Sequence, residues 1–60
     1  MNKDKLTEQM YIGDGVYAGF DGFHVWLYTD DGLQITNQIA LEPEVLLQFL
    51  KWTERIPTSI

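Results

Sequence analysis

Cysteine is absent from this chain of 60 residues, and serine occurs once, as Ser59. The first absence removes disulfides and thiolate metal sites together. The two together leave a folded site without the usual side-chain nucleophiles. Basic residues are also scarce, four against nine acidic ones, for a net charge of −5. So few lysines and arginines cannot neutralise phosphates, which argues against direct nucleic-acid binding. No apolar run reaches the ~20 residues needed to span a bilayer, and no basic start leads into a hydrophobic stretch. The expectation is a cytosolic protein with no membrane contact.

Small size adds a further constraint. A chain of this length buries only ~60% of the surface its unfolded form exposes, so its single core is marginal. Disulfides, a metal or self-association are the usual remedies. The one histidine, His24, has no carboxylates spaced to join it on a metal. No cofactor is expected, and self-association gains weight by elimination.

What is present is a pattern of strands and turns. Residues 1–9 are polar and aperiodic and read as a flexible terminus; 10–57 read as one domain, with a frayed tail at 58–60. Three Asp-Gly pairs, Asp14-Gly15, Asp21-Gly22 and Asp31-Gly32, punctuate alternating apolar runs. Such pairs are strong hairpin signals. A two-residue loop at Asp21-Gly22 sets Phe20 opposite Phe23, Ala18 opposite Val25 and Val16 opposite Leu27. A three-residue loop at Asp30-Asp31-Gly32 sets Leu27 opposite Ile35 and Phe23 opposite Ile39, which keeps one consistent apolar face. The segment Tyr11 to Gly15 is either a short extra strand or the bent start of the first long one.

A helix follows in LEPEVLLQFLKWTERIP. Pro43 suits its first position, Glu42 and Glu44 complement the positive end, and Lys51 and Arg55 the negative end. Pro57 stops it. Val45, Phe49, Trp52 and Ile56 form a stripe, flanked by Leu46, Leu50 and Thr53, that is expected to cover the apolar sheet face. Leu47 lies off the stripe. The fold class is therefore α+β: a three- or four-stranded antiparallel meander with one C-terminal helix packed on one face.

The chemistry-bearing motifs are thin. The Asp-Gly pairs lack the alternating acids and distant glutamate of a calcium loop. Gly13, Gly15 and Gly19 lack the helix and lysine of a phosphate loop. His24 has an imidazole suited to general-base work but neither a nucleophile nor an orienting group beside it. An enzyme is not expected.

The sheet face opposite the helix carries Tyr17, His24, Trp26, Tyr28, Gln34, Thr36 and Gln38. Cross-strand pairing can account for such a set, at ~0.2–1 kcal/mol per pair. Base stacking is a further reading, opposed by the acidic charge. Aromatic anchors among uncharged polar residues also match a protein-binding patch. The candidate interface, for a second copy or a target, is Tyr17, His24, Trp26, Tyr28 and Thr36, with Leu47 as an outlying contact.

The order YIGDGVYAGFDGFHVWL, TDDG and ITNQIALEPEVLLQFLKW, roughly Tyr11 to Trp52, resembles small uncharacterised accessory proteins of bacteriophages and prophages. The resemblance carries no catalytic residues. It implies a phage-encoded, non-enzymatic binding protein in the cytoplasm of a bacterial host that inhibits or modulates a host protein such as an anti-phage defence component; a homodimer is expected from the small core and the aromatic face. Two alternatives stand beside it. Asp14, Asp21, Asp30, Asp31, Glu42, Glu44 and Glu54 could imitate DNA phosphates, or a dimer interface could trap a small nucleotide signal.

Overall fold

Three reversals at the Asp-Gly pairs fold the chain into strands β1 (Thr7–Gly13), β2 (Val16–Phe20), β3 (Val25–Asp30) and β4 (Ile35–Leu41). They form one antiparallel sheet in the order β1-β2-β3-β4, followed by helix α1 (Pro43–Thr53). The computed structural model describes residues 2–57; the tail expected at 58–60 lies outside the described residues. Tyr11 to Gly13 belong to a full fourth strand, which decides between the two arrangements of that segment.

The first turn is the short one. Asp14 and Gly15 have φ of 54° and 80°, and Gly13 pairs with Val16. Two successive positive φ values match a type I′ turn, whose twist suits the flanking strands.

The other two turns share a different construction, each four residues long. In Asp21-Gly22-Phe23-His24, the Asp21 N–H donates to the His24 carbonyl at 3.2 Å. Its Oδ1 accepts from the N–H groups of Phe23 (2.8 Å) and His24 (2.6 Å). Asp31-Gly32-Leu33-Gln34 repeats this, with a 3.1 Å closing bond and two 2.8 Å bonds to Asp31 Oδ1 from Leu33 and Gln34. An aspartate that ties its own carboxylate to the backbone two and three residues on holds the wider loop closed.

The expected registers are corrected accordingly. Phe20 pairs with Val25, and Ala18 with Leu27. Leu27 pairs with Ile39, and Val25 with Leu41. Phe23 and His24 lie in the loop rather than in β3. The slips are of two and four residues, so the pleat still sorts side chains to their expected faces. A bulge interrupts the last pair: Thr29 faces Asn37, whereas Asp30 faces Ile35. The bulge moves Ile35 off the apolar face, where regular alternation had placed it.

The N-terminal residues also depart from expectation. Lys3–Lys5 form a 3-10 turn capped by the Asn2 side chain, which accepts from the Asp4 N–H. Thr7 to Gln9 begin β1 instead of fraying. The reason is a tertiary contact that polarity does not reveal. Leu6 folds onto the sheet and is 6% exposed, one of two buried hydrophobic residues among those described, with Tyr28 at 3%.

Helix α1 starts where Pro43 predicts, with the Leu46 N–H donating to the Glu42 carbonyl at 2.8 Å. It meets the sheet chiefly along β4. Between them lies a groove of about 440 Å³ lined by Leu27, Ile39, Leu41, Val45, Gln48 and Phe49. The helix therefore stands on the apolar side but leaves much of it uncovered. Val45, Phe49, Leu50 and Trp52 are all exposed.

Candidate interaction surfaces

The two faces of the sheet have different characters. On one, Tyr11 pairs with Tyr17, and Tyr17 with Tyr28, so three tyrosines cross three strands. Ring centroids are 4.9 Å apart for the first pair, tilted at 59°. They are 5.4 Å apart for the second, stacked at 15°. Such offset contacts add to the stabilisation from burial alone.

An N-terminal arm closes over the inner end of this ladder. The Tyr28 hydroxyl donates to Gln9 Oε1 at 2.8 Å. The Gln9 side-chain amide donates to the carbonyls of Lys3 (3.2 Å) and Leu6 (3.4 Å). The Lys3 ammonium pairs with the Asp30 carboxylate. That pairing, helped by the Gly32 N–H, holds the Asp30 carboxyl below its ordinary range and raises the Lys3 ammonium. Tyr28, read from sequence as an exposed anchor, is therefore unavailable to a partner.

At the other end of the same face, Asp21 organises the rest of the aromatic set. Its Oδ2 accepts from the Trp26 indole N–H at 2.9 Å and lies 3.1 Å from His24 Nδ1. An ionised carboxylate only accepts, so Nδ1–H is the donor in this contact. The indole bond first, then the His24 backbone N–H and the Phe23 N–H, hold the Asp21 carboxyl far below the usual carboxylate range. His24 also packs edge-on against Phe23, centroids 4.7 Å apart at 79°. Tyr17, His24 and Trp26 are half-buried and Tyr11 is exposed.

Thr36 is not part of this set. The bulge places its Oγ1 2.6 Å from Thr29 Oγ1, and Thr29 alternates with Tyr28 along β3. Leu47 is exposed on the helix, away from the aromatic residues. Of the six residues singled out from sequence, the structure thus brings His24 and Trp26 together at Asp21 and keeps Tyr17 half-buried in the ladder on the same face. Sequence reasoning missed Asp21, which looked like a turn residue alone, and Tyr11, whose strand was unsettled.

The opposite face is apolar and open. Met10 pairs with Ala18 and Ala18 with Leu27, and Leu27 pairs with Ile39. Met10 is 67% exposed, Ile12 57% and Ile39 59%. Among the described residues no three His, Asp or Glu side chains converge as metal ligands, and no helix is long and apolar enough to cross a membrane. No protein-family model, curated protein or solved structure matches the chain.

Proposed function

We propose that this chain is a non-enzymatic binding protein that grips a protein of a bacterial host and inhibits or modulates it, through Trp26, His24, Tyr17 and Tyr11. The reading rests on one observation: the Asp21 carboxylate fixes Trp26 and His24 in place while leaving both half in solvent. Aromatic anchors already held in position lose little side-chain freedom on binding. The phage context comes from the resemblance of the turns and helix start to phage accessory proteins, and it suggests a component of anti-phage defence as the target.

Three of the seven carboxylates weaken the rival idea of a DNA mimic. Asp21 and Asp31 are tied to N–H groups of their own loops, and Asp30 is paired with Lys3. Carboxylates engaged internally are poorly placed to stand in for phosphates facing a basic groove.

The test is a pull-down with the tag at the C-terminal side, from a host carrying several defence systems, washed at low and high salt. A single bacterial protein retained at high salt, and lost with Trp26→Ala, is the expected result. Retention by the folded Trp26→Ala variant would remove these residues from the site. A partner lost at high salt would favour the acidic mimic, because exposed charge pairs are screened.

A further inference from the structure

We propose that a second copy of this chain covers the open apolar face, the helix of each copy lying across the β1–β2 half of the other's sheet.

The first argument is one of area. The chain exposes 4972 Å². A compact monomer of 7.0 kDa exposes about 4,000 Å² by the size scaling of folded proteins. The excess, roughly 900 Å², is close to the ~800 Å² that one partner contributes to a standard interface.

The second argument is self-complementarity. A two-fold interface requires the same patch on both copies, residue i meeting j while j meets i. This face offers two unlike apolar parts side by side. The helix meets its own sheet chiefly along β4, so Leu50 and Trp52 remain exposed on it. Met10, Ile12 and Phe20 remain exposed on the sheet half that the helix does not reach. A two-fold axis between the two parts sets each helix on the other's uncovered strands and closes both at once.

The apolar patch of Met10, Ile12, Ala18, Leu27 and Ile39 meets charge at its edge only: Glu8 lies in the bulge of β1 before Met10, and Asp30 is held at the Tyr28 side by Lys3. The dimer also leaves Trp26 and His24 outward, since they lie at the other face, so self-association and target binding are separable.

The experiment is sedimentation equilibrium on the full chain, with Met10→Asp in the exposed β1–β2 half and, as a control in the exposed third turn, Leu33→Asp. The expected result is a dimer for wild type and Leu33→Asp, with dissociation at least ~30-fold easier for Met10→Asp, the effect of a central anchor. A wild type that stays monomeric to ~100 μM overturns the proposal, as does a dimer indifferent to Met10→Asp. Isotope-filtered NOEs between the Trp52 ring and Ile12 or Ala18 of the other copy decide the matter in wild type if Met10→Asp does not fold. A monomer whose host partner is lost with Met10→Asp would assign the face to that partner instead. A monomer that still captures a host protein through Trp26 would leave the proposed function standing.

Discussion

Leu6 occupies the space that a side chain on Gly19 would need. A Cβ built on Gly19 would lie 2.8 Å from Leu6 Cδ1 and 3.2 Å from Leu6 Cβ. Glycine inside a strand commonly marks such a close approach. Gly19→Ala should therefore displace the N-terminal arm and cost ~1–2 kcal/mol, as overpacking does. Urea denaturation of Gly19→Ala, Leu6→Ala and the double variant should show strong non-additivity, because Leu6→Ala creates room for the new methyl. Additive losses would mean that the two residues do not touch.

The Tyr28 hydroxyl offers a second check on the arm. Tyr28→Phe keeps the ring stack with Tyr17 but removes the donor to Gln9 Oε1. The expected loss is ~1 kcal/mol in thermal or urea unfolding. Amide exchange in residues 3–9 should quicken more than in β3, since the bond ties the arm to the sheet.

Acid should destabilise the fold over a defined window. Asp21, Asp30 and Asp31 all have carboxyls held below the ordinary value of 3.8. The causes are the indole of Trp26, the ammonium of Lys3 and the N–H of Gln34, respectively. The unfolded carboxylates, near ~3.9, then bind protons before the folded ones do. Stability is fully present above that value and falls as pH drops from about 4 toward the folded values. Unfolding free energy measured from pH 7 to pH 2 should be flat at first and then decline; a flat profile throughout would show these bonds to be absent in solution.

Asp21→Asn is the sharper probe of the aromatic site. An amide oxygen can replace Oδ1 and still cap the loop, but the NH₂ in place of Oδ2 cannot accept from the Trp26 indole. Solvent exchange of that indole N–H should accelerate roughly tenfold or more, while the strand amides remain protected. Target capture should weaken in parallel, because Trp26 loses its fixed pose.

The fold was legible because its essential signals survive errors of register. Asp-Gly at 21–22 and 31–32 marks where the chain reverses but does not state the loop length. The loop length depends on whether the aspartate carboxylate reaches the next two N–H groups, which is a three-dimensional event. Since both slips are even, Phe20, Val25, Leu27 and Ile39 still reach the face that alternation assigns them. The bulge beside Thr29 was not readable, and with it went the placement of Thr36 and Ile35. The arm was invisible for another reason: in NKDKL a single leucine is the apolar anchor, and the clue lies at Gly19, thirteen residues on. The helix stripe was read correctly as apolar, but periodicity cannot tell whether a helix covers its own sheet or another's.

The consecutive strand order has a kinetic consequence. Each strand pairs only with its neighbours in the chain, so every hairpin can close as soon as its residues are available. Low sequence separation between contacting residues favours fast folding. The side-chain bonds of the arm, Gln9 to Tyr28 and Lys3 to Asp30, span 19 and 27 residues. They require β3 to be in place and so form after the hairpins that build it. The residues that precede the sheet in the chain thus settle after it, and the sheet is assembled before the arm locks its tyrosine face.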